Sequence, residues 1–350
     1  KKEIFEKKII PHQVEFQAPP RGKKICWLEC PYCYGLSAND NGERLEKKRG
    51  LEILRQILEG GVKKIIFAGY ATDPLNCSYI EDLLDLTISK KAIFGFNTKA
   101  LRVSDKFFEI LKSKRITNGS YISLSVDAGS NETYNKIHGV KNSSKIYDKV
   151  LENTKKLGII RKKNYFDLSA AYLVNIHSSK QYDYEYFINN FMEADCNLLR
   201  FTFPQQPKGI DTEKGVIPSE TEKNEYKKIL EKLKIKYENS KCSILIVDAD
   251  DDYDIYNKPR TVPCFARYIF PTVGFDGWLY NCSQSSAPNF RASALGDLTK
   301  SNFWDLYYNY EIENFNKYLL SCSKKINDSG CRCDRKEHVL NQNIIDSKVF

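Results

Sequence analysis

Lys23-Lys24-Ile25-Cys26-Trp27-Leu28-Glu29-Cys30-Pro31-Tyr32-Cys33 places three cysteines, spaced CxxxCxxC, at the end of the first short run that reads as a strand. The same grammar, a short β-branched or apolar run opening into a polar loop, recurs downstream at Lys64–Ala68, Ala92–Asn97, Tyr121–Val126, Tyr165–Leu173 and Asn197–Phe203. Helical periodicity fills the gaps: Leu45–Glu59 stopped by Gly60-Gly61, Tyr79–Lys90, Asp105–Ser113 behind Ser104, Ser144–Leu157, Tyr182–Ala194, and Glu220–Glu238 behind Ser219. Six alternating βα units predict an α/β fold with a parallel sheet, either open and doubly wound or curved into a partial barrel. Both put functional loops at the carboxyl ends of the strands, the face on which the cysteine loop falls.

Beyond that core the pattern breaks. The acidic loop Asp248–Asp254 leads into a region with five cysteines, turn residues and only short apolar runs. The expected organisation is therefore an N-terminal extension (1–22), a barrel (23–247), a linker (248–262) and a small cysteine-rich domain with its tail (263–350). A chain of 350 residues accommodates one large domain and a satellite. No apolar run approaches the roughly 20 residues of a membrane span, and the charged N-terminus lacks the apolar segment of a signal peptide, so a cytoplasmic protein is expected. The net charge of +9 is scattered over helical segments, which favours a solvated basic surface over a nucleic-acid interface. Eleven cysteines in such a chain point to metal or to redox chemistry, because disulfides do not persist in a reducing compartment.

Three thiolates in one short loop can hold three irons of a four-iron four-sulfur cluster, leaving the fourth iron free to chelate a small ligand. A zinc loop is the alternative, but it ordinarily needs a fourth Cys or His nearby, and none soon follows Cys33.

The cysteine loop, with aromatic Tyr32 before its last cysteine, resembles the radical S-adenosylmethionine (SAM) superfamily, and so do several strand ends. Phe67-Ala-Gly69-Tyr-Ala-Thr-Asp73-Pro74 is similar to the family's GGEP-like motif, with Asp73 in place of Glu. The resemblance covers residues 23 to about 205. It implies a partial (β/α)6 TIM-like barrel in which Cys26, Cys30 and Cys33 bind a [4Fe-4S] cluster. It further implies that Tyr32, Gly69, Asp73, Asn97, Ser125, Asp127, Ser169 and Asn175 approach SAM. Ser130–Tyr134 and Ile137-His138-Gly139 continue a pattern common in the superfamily. Taken singly, each polar strand-end residue also reads as a helix cap or a turn former.

Cys264, Gly277 and Cys282 fit C-x(9-15)-G-x(4)-C, which resembles the opening of the twitch and SPASM auxiliary-cluster domains of that superfamily. Cys322, Cys331 and Cys333 follow, while the positions where a two-cluster set would continue hold Lys325 and Arg335. The resemblance thus implies one auxiliary [4Fe-4S] cluster, with Cys264 and Cys282 as first ligands, Cys331 and Cys333 preferred as the others, and Cys322 as a substitute. Structural zinc is the alternative. Cys77, Cys196 and Cys242 read as buried hydrophobes or, in a radical enzyme, as hydrogen donors.

The expected activity is reductive cleavage of SAM followed by hydrogen abstraction, with oxidation of a small molecule as the outcome and flavodoxin or ferredoxin as reductant. Only 25 residues precede Cys26, too few for the leader-binding domain of many peptide maturases, and Ser283 replaces the Asp that follows the second auxiliary cysteine in sulfatase-maturing enzymes. A peptide-modifying epimerase or crosslinking enzyme is the second expectation. A non-enzymatic metal- or nucleic-acid-binding protein is the third; it predicts no SAM cleavage and steeply salt-dependent binding.

Overall fold

A computed structural model describes residues 2–22, 26, 28–33, 35, 40–69, 72–177, 179–204, 216–248, 264–313, 315–328 and 335–347. It forms two compact units, one of residues 26–36 and 95–250, the other of 1–25, 37–94 and 251–350.

In the first unit β3 (Ile93–Thr98), β4 (Tyr121–Ser125), β5 (Asp167–Leu173), β6 (Leu198–Thr202) and β7 (Ser243–Val247) pair in order, all parallel. The intervening helices are α4 (Asp105–Ser113), α5 (Asn131–Ile137), α6 (Ile146–Asn164), α7 (Gln181–Glu193) and α8 (Glu220–Lys236). Serines start three of them: Ser104 and Ser130 accept from the third backbone N–H of α4 and α5, and Ser219 forms a reciprocal capping box with Glu222 on α8. Tyr172 of β5 packs among Tyr184, Phe187 and Phe201, with ring centroids 5.1 to 5.5 Å away. Buried Asp183 accepts from the Gly129 N–H, Ser130, Thr133 and Tyr172, which ties α7 to the loop after β4. The βα alternation expected from periodicity is present here, with β7 as an additional parallel strand.

In the second unit β1 (Val14–Gln17) lies between β2 (Lys64–Ala68) and β8 (Thr272–Val273), parallel to both. Strands β9 (Trp278–Tyr280) and β10 (Gly296–Asp297) then add antiparallel. Residues 1–22 are therefore no mere extension, since they supply a central strand of this unit. Their pattern was concealed because β1 alternates apolar with polar residues that are all buried. Gln17 donates its amide N–H groups to Glu15 and to Ser286 Oγ. The proposed strand Lys23–Cys26 lies outside the described residues except for Cys26, which is not in a strand.

The cysteine-rich C-terminal segment shares this unit with α2 (Lys47–Glu59) and α3 (Ile80–Ser89). Trp304 Nε1 donates to the Gln56 carbonyl of α2, and Arg49 donates to the Leu298 and Ser301 carbonyls. Ile4 packs with Phe265, Tyr268, Tyr310, Phe315 and Leu319. Among the described residues no helix is long and apolar enough to cross a membrane.

Candidate cofactor site

Within the cysteine loop the backbone already addresses the sulfurs. The Leu28 N–H points at Cys26 Sγ (3.5 Å), the Gly35 N–H donates to Cys33 Sγ (3.3 Å), and the Cys33 N–H donates to the Cys30 carbonyl (3.1 Å). Such N–H donors stabilise negative charge on ligating sulfur. Burial pushes the Cys30 thiol up to about 12, with Lys99 opposing, so ligation by Cys30 at neutral pH releases a proton.

Behind the loop sits a buried polar network drawn from three strand and helix ends. The Tyr32 hydroxyl donates to Asp127 Oδ2 (2.7 Å) and lies 3.2 Å from His138 Nε2. Lys99, just past β3, reaches His138 Nε2 (2.8 Å), the Ser125 carbonyl (3.2 Å) and Asp127 Oδ2 (3.4 Å). Asp127 Oδ1 accepts from the Leu173 N–H at the end of β5 (2.9 Å). His138 Nδ1 faces the Tyr134 carbonyl at 2.9 Å, so it carries the ring proton and leaves Nε2 as acceptor. One residue on, Gly139 has φ of +64°, and a Cβ there would lie 2.9 Å from the Glu29 Cβ, while the Glu29 N–H donates to the His138 carbonyl. The β4–α5 region therefore grips the cysteine loop at both Glu29 and Tyr32.

The electrostatics are those of an internal ion pair. Burial alone would raise the Asp127 carboxyl, yet Lys99, with the Tyr32 hydroxyl, holds it well below the usual carboxylate range; burial alone would depress Lys99, yet Asp127 keeps it above the ordinary lysine value. Burial and then Lys99 lower His138 to about 4, which keeps it neutral. Its folded value is below the unfolded one of about 6.5. The stability of burying neutral imidazole is thus present above pH 6.5 and lost as pH falls toward 4. Between pH 7 and pH 5 this amounts to about 2 kcal/mol. His138→Gln is expected to flatten that part of the pH profile of the urea midpoint; an unchanged slope would rule out the assignment.

Sheet register gathers several of the other expected residues. Asn97, Ser123 and Ser169 are adjacent across β3, β4 and β5, and Ser125 lies two residues further along the same face of β4. Asp127 follows at the carboxyl end, with φ of +62°. Asn175 is buried, with its amide nitrogen on the Leu173 carbonyl and its oxygen on the His177 N–H, and so shapes the turn after β5. Gly69 and Asp73 belong to the other unit. A Cβ on Gly69 would lie 1.6 Å from the Thr72 carbonyl oxygen, so the turn requires glycine, and Asp73 caps the short turn Pro74–Asn76 through the Leu75 N–H. Lys99 and the place of His138 beside Asp127 were not anticipated from the sequence. A lysine immediately after a polar strand end, as in Asn97-Thr98-Lys99, was the available signal.

Cys77, Cys196 and Cys242 are all buried, and burial raises each thiol, Cys77 to about 12 and Cys242 to about 11. Cys196 and Cys242 precede β6 and β7, at the amino ends of the strands and away from the Asp127 end.

Of the C-terminal cysteines, Cys264 and Cys282 share one buried cluster with Ala266 and Phe270, packed by Ile269 and Leu340. The Cys264 N–H donates to Ser323 Oγ, which brings the helix carrying Cys322 to the same place, and the Phe265 N–H donates to Asn341. Cys331 and Cys333 lie outside the described residues. Nearby Arg267 is buried, donates to the Tyr318 hydroxyl and the Tyr307 carbonyl, and stacks on Tyr268 and Tyr310; its Nε has no partner and no carboxylate pairs with it among the described residues. No three His, Cys, Asp or Glu side chains among the described residues form a group able to hold a single metal ion.

Residues 23–168 match the model of the radical SAM superfamily. No curated protein matches the chain significantly. Among solved structures, Streptococcus suis SuiB bound to the precursor peptide SuiA superposes with a TM-score of 0.63 at 14% identity, covering 91% of this chain and 69% of that one. SuiB bound to S-adenosylmethionine gives 0.61 at 14% identity, with 91% and 70% covered. These likenesses show the fold, a mixed α/β architecture of the radical SAM partial-barrel type.

Proposed function

We propose that this chain, whose residues 23–168 match the radical SAM superfamily, binds a [4Fe-4S] cluster through Cys26, Cys30 and Cys33 and cleaves SAM reductively to abstract a substrate hydrogen atom. The observation that carries the proposal is the cysteine loop itself, with backbone N–H groups aimed at two of its sulfurs and its body docked through Tyr32 on the Lys99–Asp127 ion pair. Held by Cys26, Cys30 and Cys33, such a cluster would supply the single electron that cleaves SAM to methionine and a 5'-deoxyadenosyl radical, which would become 5'-deoxyadenosine on taking a substrate hydrogen atom. Reduced flavodoxin or ferredoxin supplies that electron. Gly69 and Asp73 bind the amino group of SAM, while Tyr32, Asn97, Ser125, Ser169 and Asn175 shape the rest of its site and Asp127 acts from behind the loop.

An auxiliary cluster on Cys264 and Cys282 completes the reading, with Cys331 and Cys333 or Cys322 as the other ligands. Support comes from the convergence of Cys264, Cys282 and the Cys322 helix, and from Arg267, a buried guanidinium that has no carboxylate partner among the described residues and suits an anionic neighbour. Anaerobic reconstitution is expected to yield about eight irons per chain, and the Cys264→Ser/Cys282→Ser variant about four. Equal iron in both would remove the auxiliary cluster, and zinc in place of the lost iron would identify a structural zinc site.

Two substrate classes follow from different observations. A single auxiliary set of cysteines favours oxidation of a small molecule. Likeness to SuiB, solved with a precursor peptide, favours a peptide.

A further inference from the structure

We propose that Lys99, Asp127 and His138 are positioning residues that dock the cysteine loop through the hydroxyl of Tyr32, so that in this chain the aromatic residue before the last cysteine acts as a hydrogen-bonded anchor. The inference rests on the cluster assignment above and adds residues whose side chains need not touch either cluster or SAM.

Tyr32 lies between two of the three expected ligands' positions in sequence, two residues after Cys30 and one before Cys33. Its hydroxyl donates to one oxygen of Asp127, and that carboxylate cannot drift, because its other oxygen accepts from the Leu173 backbone on the adjacent strand. Lys99 ties Asp127 to His138, and His138 is fixed by its own Nδ1–H on Tyr134. The ring of His138 is fully buried and packs against Tyr134 with centroids 4.0 Å apart and a tilt of 30°. The loop's second attachment, the Glu29 N–H on the His138 carbonyl, comes from the same residue. Partners that fix the orientation of metal ligands commonly contribute 10–100-fold to metal retention.

The test is the rate at which anaerobically reconstituted protein, without SAM, loses iron to a ferrous chelator, read with the electron paramagnetic resonance spectrum of the reduced cluster. Tyr32→Phe removes one oxygen and keeps the ring. It is expected to retain the wild-type circular dichroism spectrum and melt within a few degrees of wild type, yet release iron at least about tenfold faster and broaden the spectrum. Asp127→Asn is expected to release iron faster as well, at a cost in stability because Lys99 loses its counter-charge; should it fail to fold, Tyr32→Phe decides alone. Wild-type release rates and an unaltered spectrum in Tyr32→Phe overturn the anchor while leaving the cluster assignment intact. A wild-type protein that takes up no cluster would instead overturn the assignment and the anchor together.

Discussion

Cys30→Ala is expected to abolish 5'-deoxyadenosine formation, a loss of at least about a thousandfold, or about 4 kcal/mol in barrier, and to lower iron by about four atoms per chain. The loop offers no replacement ligand: Cys26 and Cys33 are the only other cysteines in it, and the adjacent Tyr32 is committed to Asp127. Cys30 is the most buried of the three, so its thiol has no solvent-exposed alternative conformation from which to be bypassed. The substitution removes one sulfur from a loop whose backbone attachments at Glu29 and Cys33 do not use that atom, and the protein should remain folded. Iron content and SAM turnover measured on the same preparation check both halves. Retained turnover in a folded, cluster-depleted Cys30→Ala protein would place the chemistry elsewhere.

Asp127→Ala should produce the largest loss of stability, about 3–5 kcal/mol, because it leaves the Lys99 ammonium, only 18% exposed, without its counter-charge. It also deprives the Tyr32 hydroxyl and the Leu173 N–H of their acceptor. A double-mutant cycle with Lys99→Met separates the two causes: restoring an uncharged pocket should recover a substantial part of the loss, since the unpaired charge is its main source. Equal urea midpoints for the single and double variants would show that the hydrogen bonds dominate. The sign of the pH dependence follows from the carboxyl's depressed value. Its contribution is complete above the unfolded value of about 4 and fades only as pH falls through the lower folded one, so it is separable from the His138 effect at pH 5–7.

Much of the scaffold was legible because it depends on local periodicity. Lys64–Ala68 and Asp105–Ser113 appear as read, and the serine caps at 104 and 219 act as the sequence suggested. Strand β1 was not legible, because Glu15 and Gln17 sit in the core on each other and on a serine 269 residues downstream of Gln17. Helix α6 runs to Asn164, beyond the expected end at Leu157: Gly158 does not stop it but is buried within it, where a Cβ would lie 2.1 Å from the Ala194 carbonyl oxygen, and the helix ends where Tyr165 turns left-handed. At the candidate site the cysteines announced themselves by spacing. Their supports did not: Tyr32 meets Asp127 across 95 residues and His138 across 106, and such separations leave no periodic trace. Asp127 was singled out as a SAM-contacting residue, whereas its carboxylate is engaged by Tyr32, Lys99 and Leu173 inside the protein.

The central claim meets its most direct test when the anaerobically reconstituted wild-type protein is mixed with SAM and dithionite and the products are separated by chromatography. Methionine and 5'-deoxyadenosine forming in equal amounts, and only when iron, sulfide and reductant are all present, is the predicted result. A well-formed cluster that leaves SAM intact would contradict it.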